Sequence, residues 1–346
     1  MPDHRVAIVI LNWNGQHFLE KFLPEVISTS KNFAKIIIAD NASSDDSVTY
    51  LEKYKNDIDV IQLDKNYGFT GGYNRALKQI NTEYYILLNS DVQVTDNWIS
   101  PVIQWMDQHP DAAACQPKIR SYHDRNLLEH AGAAGGLIDH LGYPFCRGRI
   151  YNTLEEDNGQ YDDVREVFWA SGACMFVRAK DFHNENGFDE EFFAHMEEID
   201  LCWRFHSSGK KIYVVPQSVI YHVGGGTLPK SNSRKTFYNF RNNMMMIHKN
   251  LPANRLWLVI FIRLVLDGIA GFKFLLEGSF KDMNAVIKAH FYFYSSLKRR
   301  NEIRKLQIQK QKNNSIPNIY TKSIVLHYYI LGKKYFKQLD RHSFTK

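Results

Sequence analysis

The sequence is short of paired cysteines, long apolar runs and glycine-rich phosphate loops, and each shortage removes a class of protein. Its 346 residues include four cysteines, Cys115, Cys146, Cys174 and Cys202, all far apart. With no C-x-x-C pair, neither a structural zinc site nor a disulfide framework is expected, which fits a reducing compartment. Even the most apolar part, residues 255–277, has no uncharged stretch near the ~20 residues that a membrane span requires. The N-terminus, MPDHRVAIVIL, enters an apolar run at once, without the basic segment, long apolar segment and cleavage site of a signal peptide. There is no G-x-x-x-x-G-K-[ST] and no G-x-G-x-x-G after the first apolar run. A P-loop enzyme and a dinucleotide-binding protein are therefore not expected.

What is present is a globular composition, 44% hydrophobic and 23% charged. The first hundred residues alternate in period. VAIVIL (6–11), KIIIAD (35–40), DVIQLD (59–64) and YYILLN (84–89) read as strands. HFLEKFLPEVISTS (17–30), DDSVTYLEKYK (45–55) and GGYNRALKQI (71–80) read as helices. Continuous apolar strands alternating with helices predict an α/β protein: a mostly parallel central sheet flanked by helices, with ligands bound beyond the carboxyl ends of the strands.

Every one of those strands runs into small, polar or acidic residues. Asn12-Trp13-Asn14-Gly15 follows the first, Asp40-Asn41-Ala42-Ser43 the second, Asn66-Tyr67-Gly68 the third and Asn89-Ser90-Asp91 the fourth. One such end is an ordinary turn. Four on one rim make a polar crevice. Asp91 needs a partner there, because an isolated buried charge is very unfavourable. With no lysine or glycine nest to hold phosphates, a metal at Asp91 is one answer, since Mg2+ or Mn2+ is commonly held by one or two carboxylates plus substrate phosphates. The other answer is a turn or cap before the following helix.

The motifs VAIVILNWNG, IIIADNASSDDS, NYGFTGGYN and YYILLNSDV, in this order, resemble the family 2 inverting glycosyltransferases of the GT-A (Rossmann-like) fold. The rhamnosyltransferase-like branch is nearest. WASGACMFVRA (169–179), GFDEEFFAHMEEIDLCWRF (187–205) and IYHVGGGT (220–227) extend the match, so that it covers residues 5 to 250. The resemblance implies a catalytic domain over 1–250 and a helical C-terminal region over 251–346. It implies that Asn12, Asn14 and Asp40 meet the nucleoside of an activated sugar, that Asn66, Gly72 and Asn74 shape the wall around it, and that Asn89 lies beside it. It makes Asp91 the last member of a metal-binding acidic triplet whose first carboxylate is here replaced by Asn89, with His222 as a second metal or diphosphate ligand. A divalent Mn2+ or Mg2+ ion is the implied cofactor. Glu198 is the implied general base, in place of the family's usual Asp, with Glu197 in reserve. The resemblance puts Trp169 and Gly172 on the acceptor side, although Trp169 could equally be core. Read as residues alone, Glu197 and Glu198 are also favourable carboxylates at a helix start. Asp200 and Arg204 have the spacing of a stiffening ion pair.

The end of the chain has its own character. Thirteen of 43 Lys and Arg but only two of 37 Asp and Glu lie from Lys298 onward, so this end carries +11 and the remainder −5. On a helical wheel of 255–277, Arg255, Arg263, Asp267, Lys273 and Glu277 share one arc and the rest is apolar. Such a helix either packs on the catalytic domain or lies in a membrane interface. The basic block after HFYFYSSL favours an anionic membrane surface through 255–312, hence a cytoplasmic protein peripheral on the inner face of the cell membrane. KSIVLHYYILGKKYFKQL reads as a further short amphipathic helix. The leading expectation is an enzyme moving sugar from a nucleotide-diphospho-sugar to a glycan or lipid-linked acceptor. The alternative is a nucleotide-sugar or glycan binding protein without turnover. No nucleic-acid partner is expected, because the body is acidic.

Overall fold

The computed structural model describes residues 4–224, 232–312 and 316–346. The chain runs β1 (Val6–Asn12), α1 (Gln16–Ser30), β2 (Lys35–Asp40), α2 (Ser47–Leu51), β3 (Asp59–Gln62), α3 (Gly68–Leu77), β4 (Tyr84–Leu88), β5 (Val92–Gln93), α4 (Ser100–Gln108) and β6 (Ala112–Ser121). It continues through β7 (Gly136–Asp139), β8 (Pro144–Cys146), β9 (Arg149–Ile150), β10 (Thr153–Leu154), β11 (Arg165–Val167), β12 (Cys174–Arg178), α5 (Ala179–Asn184), α6 (Glu197–Ser207) and β13 (Lys211–His222). The rest is α7 (Ser233–Asn250), α8 (Ala253–Leu276), α9 (Phe280–Ser295), α10 (Leu297–Lys310), β14 (Ile319–Tyr320) and α11 (Ile324–Tyr329).

The four expected strands are present and mutually parallel, in the order β3-β2-β1-β4. The interiors of β1, β2 and β4 are continuously apolar because helices cover both faces of the sheet, and polar residues stand only at the ends, Asn12 in β1 and Lys35 and Asp40 in β2. β3 is the exposed edge and ends at Gln62, two residues earlier than its apolar pattern suggested. Beyond β4 the sheet turns mixed: β12 runs antiparallel to β4 and β6, while β13 lies parallel to β6. A second sheet, β10-β9-β8-β7-β14, stands beside it, and β14 joins it from the far end of the chain. Tyr320 of β14 is buried with Leu137, Phe145, Ile150 and Ile324.

The pair Asp200 and Arg204 forms as spaced, with Arg204 Nε donating to Asp200 Oδ2 at 2.9 Å. Lys249 and Asn250 of α7 donate to the same carboxylate at 2.9 Å each, fastening α6 to α7. A buried carboxylate is tolerated here because every one of these contacts is charge-assisted.

Candidate active site

The parallel register of β1 and β2 sets Asn12 beside Asp40. Asn12 Nδ2 donates to Asp40 Oδ1 at 3.0 Å and to Ser43 Oγ at 3.1 Å. Asp40 Oδ2 accepts from the Ser43 backbone N–H at 2.9 Å. Asn12 Oδ1 is buried and has no protein donor. A buried carbonyl without a partner is unfavourable unless a ligand or water satisfies it. Asn14 adopts a left-handed φ of 51° and accepts from the Ser44 N–H at 2.7 Å, tying the β1–α1 turn to the loop after β2. Asn66 Oδ1 accepts from Asn41 Nδ2 at 3.1 Å and from the Gly68 N–H at 2.8 Å. The ends of β1, β2 and β3 are thus one hydrogen-bonded chain rather than independent turns. Asn41, the central link of its second half, carries no signal beyond its place in a turn.

Two rim residues serve as braces. A Cβ at Gly72 would lie 2.7 Å from Leu11 Cδ1, so glycine lets α3 press onto β1. Asn74 spends both ends of its amide on the backbone of Phe188, donating at 2.8 Å and accepting at 2.9 Å. It joins α3 to the loop that leads into α6.

β4 ends where Asn89 donates its backbone N–H to Ala173 O at 3.0 Å. β5 then pairs with β13, His222 opposite Val92, which carries Asp91 to His222. Their contact is 3.2 Å, Asp91 Oδ1 to His222 Nε2. The other ring nitrogen, Nδ1, faces Glu129 Oε2 at 3.3 Å. Burial works against charge on the imidazole, yet Asp91 and Glu129 outweigh it and hold the His222 pKa up at about 10. Burial likewise opposes charge on Glu129, but His222 keeps its carboxyl below the ordinary value. Glu129 is a site residue that the sequence does not announce: it precedes β7 by seven positions, with no spacing that ties it to His222. The three glycines of IYHVGGGT are Gly224, Gly225 and Gly226; Gly225, Gly226 and Thr227 lie outside the described residues.

A divalent cation fits this pair. Among the described residues no three His, Cys, Asp or Glu side chains converge as a complete metal cage. Once a cation displaces the Nε2 proton of His222, Asp91 and His222 would offer one carboxylate oxygen and one imidazole nitrogen, and a carboxylate such as Glu129 behind a ligating imidazole is its usual support. Such a two-ligand site suits an ion whose other positions are filled by diphosphate oxygens and water.

The carboxylate pair Glu197 and Glu198 opens α6 from a strained loop. Phe193, His195 and Met196 have φ of 64°, 71° and 70°, and each such non-glycine residue costs on the order of 1–3 kcal/mol. The loop is held from two sides. Phe193 O accepts the N–H groups of Phe69 at 2.8 Å and Thr70 at 3.2 Å, two of the free donors at the start of α3. From α7, Asn242 Nδ2 lies within hydrogen-bond reach of Phe192 O, Ala194 O and His195 O at 2.9, 2.8 and 2.7 Å. Arg241 Nη2 donates to Glu191 O and Phe192 O. This clamp was not foreseen; its one trace is the polar run Arg241-Asn242-Asn243 directly before the buried Met244-Met245-Met246.

Glu197 is buried and Glu198 half-buried, and Oε2 of each has no hydrogen-bond partner. Burial pushes both carboxyls up, and the Glu198 carboxylate adds to the cost of ionising Glu197. Glu197 stands well above its ordinary value and Glu198 at about 7. Gly172 lies against this pair: an added Cβ would be 3.5 Å from Phe69 Cζ and 3.9 Å from Glu198 Cβ. The loop 171–173 therefore touches Glu198 at Gly172 and Asn89 at Ala173, bringing the acid pair and the Asn-Ser-Asp turn to one place. Trp169 stays outside it. Its ring lies over Gly136, its Nε1 donates to Leu137 O at 2.9 Å, and it is 4% exposed. Of its two readings the structure supports core, because the second sheet needs that indole as a floor. A cavity of about 500 Å³ lined by Lys35, Lys55, Asp59 and Gln79 opens at the opposite ends of the strands and holds none of these residues.

Gly68 shows how tightly the loop is seated. It has φ +72°, and a Cβ there would meet Phe193 Cδ2 at 2.5 Å. Gly68→Ala is expected to lose about 2 kcal/mol or more in urea unfolding. Gly209→Ala, at φ +81° with nothing within 4 Å of the added carbon, is expected to lose only the backbone part. Equal losses at the two positions would remove Phe193 as the cause.

The fold is that of the GT-A glycosyltransferases. The chain belongs to the glycosyl transferase family 2, whose sequence model matches residues 7–183. It is 27% identical over 245 residues to an N-acetylglucosaminyl-diphospho-decaprenol L-rhamnosyltransferase of Mycobacterium tuberculosis, covering 66% of this chain and 78% of that one. It is 26% identical to the rhamnosyltransferase WbbL of Escherichia coli, covering 61% and 80%. Among solved structures, residues 1–349 of Staphylococcus aureus TarS superpose with a TM-score of 0.55 at 16% identity, covering 88% of this chain and 86% of that one. A mannosyltransferase from Pyrobaculum calidifontis, in complex with GDP-Man and Mn2+, superposes at 0.51 with 11% identity, covering 88% and 84%.

Proposed function

We propose that the protein is an inverting glycosyltransferase, moving a sugar from a nucleotide-diphospho-sugar to a hydroxyl of a lipid-linked or polysaccharide acceptor. The names of the two rhamnosyltransferase relatives support rhamnose as the sugar, and we take deoxythymidine-diphosphate rhamnose as the donor, a uridine-diphosphate sugar as second choice, and cell-surface glycan synthesis at the inner face of the cell membrane as the setting. Residues 1–250 form the catalytic unit and 251–346 a helical region attached to it. The observation that carries the reading is the unpartnered Glu198 carboxylate, half-buried with a pKa near 7, where a general base is most effective.

Glu198 takes the proton of the acceptor hydroxyl through its carboxylate. The acceptor oxygen attacks the anomeric carbon from the face opposite the diphosphate. The bond from that carbon to the diphosphate oxygen breaks, and the diphosphate leaves with the electron pair. One displacement with one base inverts the anomeric centre. Asn12, Asn14, Asp40 and Asn66 hold the nucleoside end, with Asn12 Oδ1 free to accept from it. Asp91 and His222 would hold the divalent Mn2+ or Mg2+ ion, which neutralises diphosphate charge when bound. Glu129 orients His222. Gly172 leaves room for the acceptor beside Glu198, and Asn89 flanks the donor through the turn before Asp91.

The test is release of nucleoside diphosphate from a panel of nucleotide sugars with Mn2+ or Mg2+ and membrane extract as acceptor. Turnover of one donor, lost in Asp91→Asn together with its metal dependence, is the expected result. Tight donor binding with no turnover on any acceptor would replace this reading with a binding protein on the same fold.

A further inference from the structure

Helix α8 is built inside out. The middle of its polar stripe points into the protein, where Arg263 and Asp267 are almost fully buried beside Leu256, Val259 and Ile260, while Arg255, Lys273 and Glu277 at the ends of the stripe are exposed. Asp267 accepts from Tyr143 OH at 3.2 Å and meets His290 Nε2 of α9 at 3.0 Å. Arg263 donates to Asp267 Oδ1 at 3.3 Å, to Leu141 O at 3.2 Å and to Asn243 of α7, and stacks on the Tyr143 ring at 3.8 Å. Rolling the helix over would strand this ion pair without partners, so its orientation is fixed. The opposite face carries Trp257, Phe261, Leu264, Val265, Ile269, Phe272 and Leu276 at helical spacing, all exposed, Phe261 at 63% and Leu276 at 73%.

This face does not stand alone. α8 and α9 form an antiparallel hairpin, with Asp267 against His290 and Gly271 against Val286. The outer side of α9 adds Phe280, Ile287 and Phe291, the last 76% exposed. α11 joins the far end, its Tyr329 ring 5.6 Å from Lys273 Nζ, and brings exposed Ile330 and Leu331. A soluble surface rarely leaves so many large apolar side chains together in water. No helix among the described residues is long and apolar enough to cross a membrane.

The charges around the patch select its occupant. Lys281 and Lys288 of α9, Lys298 at the start of α10, and Lys333, Lys334 and Lys337 after α11 are solvent-facing or partly so. On the hairpin itself Glu277 pairs with Lys273 at 3.6 Å and Asp282 accepts from Thr236 at 2.6 Å, so the cations outnumber the acids around the patch. A second copy would set these cations against themselves, whereas an anionic bilayer complements them. The basic block as a whole is not the contact, because Arg299 and Arg300 pair with Glu191 and Arg304 turns inward to His248 O.

We propose that the outer face of the α8–α9 hairpin, continued by the residues after α11, docks in the interfacial layer of an anionic lipid bilayer without crossing it. The surface lies across α7 from the strained loop: Asn243 of α7 meets Arg263 of α8, while its neighbour Asn242 holds the loop before Glu197. The proposal deepens the reading of a lipid-linked acceptor and places the site one helix layer from the lipid that would carry it.

The test is co-sedimentation of the full chain with vesicles of phosphatidylcholine alone and of phosphatidylcholine with one quarter phosphatidylglycerol. Binding is expected to the anionic vesicles and to weaken with salt. Phe261→Gln/Ile269→Gln/Phe272→Gln, three exposed positions, is expected to bind roughly 100-fold more weakly. Its melting temperature and its nucleotide-sugar turnover on a detached, water-soluble acceptor are expected to match wild type. Brominated lipid is expected to quench wild-type fluorescence, and Trp257→Phe to lose most of that quenching. Wild type that ignores both vesicles, or a triple variant that binds like wild type, overturns the proposal, as does a wild-type dimer that the triple variant dissociates. Failure of the glycosyltransferase reading would instead appear as absent turnover with vesicle binding intact.

Discussion

Glu198→Gln is expected to lower turnover by about 10³-fold while leaving the donor dissociation constant within a few-fold of wild type. The carboxylate is the proton acceptor, and glutamine keeps its shape without its basicity. In wild type, kcat/KM is expected to fall about tenfold per pH unit below pH 7, because Glu198 must be ionised and its pKa stands at about 7. The same shift has a second consequence. Folding raises this carboxyl from 4.5 to about 7. The folded state therefore binds the proton more tightly than the unfolded chain does. Stability that this group contributes is fully present below pH 4.5 and is lost as pH rises through 7. Glu198→Gln removes that loss. It is expected to be more stable than wild type at pH 8 by on the order of 2 kcal/mol, and about equal to it at pH 4.5. Urea unfolding at the two pH values checks this. A variant that loses turnover without gaining stability at pH 8 would mean that Glu198 is not desolvated, and full activity in the variant would move the base to Glu197.

Asn242→Ala carries the second large effect. One amide reaches three carbonyls of the loop that launches α6, at 2.7 to 2.9 Å. Leaving such acceptors buried and unpaired costs on the order of 1–3 kcal/mol each, with sharing among them reducing the sum to about 3 kcal/mol. The loop contains three left-handed non-glycine residues, so it has little reason to keep its shape without the clamp. The expected result is a loss of kcat of about 100-fold with a much smaller change in donor affinity, since the rim of Asn12, Asp40 and Asn66 hangs on other strands. Asn242→Asp is expected to behave no better, because a carboxylate accepts and cannot donate to carbonyls. A general loss of stability alone would not move a pH profile. Loosening the loop lets water reach Glu198, so the acid limb of kcat/KM is expected to shift from about 7 toward the ordinary carboxylate range. An unchanged limb would reduce Asn242 to a packing residue.

The two variants act on one chain of cause. The clamp holds the loop, the loop buries the acid pair, and burial sets the pKa that the proposed chemistry uses. This is the common exchange at functional sites, where local strain and a desolvated charge are maintained by the surrounding fold.

What the sequence by itself determined is what depends on neighbours along the chain. Period and apolar content marked β1, β2 and β4 to within a residue or so, because strands covered on both faces must be continuously apolar. The order of strand ends located the rim, and the spacing of Asp200 and Arg204 located their ion pair. The tertiary structure decided what depends on contacts between distant segments. Asp91 meets His222 through the pairing of two-residue β5 with the end of β13, a register that no local pattern encodes. Glu129 reaches the same histidine from a loop nearly a hundred residues earlier. Trp169 has the residue type of a sugar platform and the position of a core residue, and Gly136 beneath it made the choice. Asn74 and Asn242 are ordinary amides in sequence and become braces because backbone carbonyls from the 187–196 segment come to them. Helix α8 shows the limit best. Its wheel divides polar from apolar, but which half faces water is set by whether Arg263 and Asp267 find partners on α7, α9 and the 139–143 turn. They do, and the face from Trp257 through Phe261, Ile269 and Phe272 to Leu276 is turned outward.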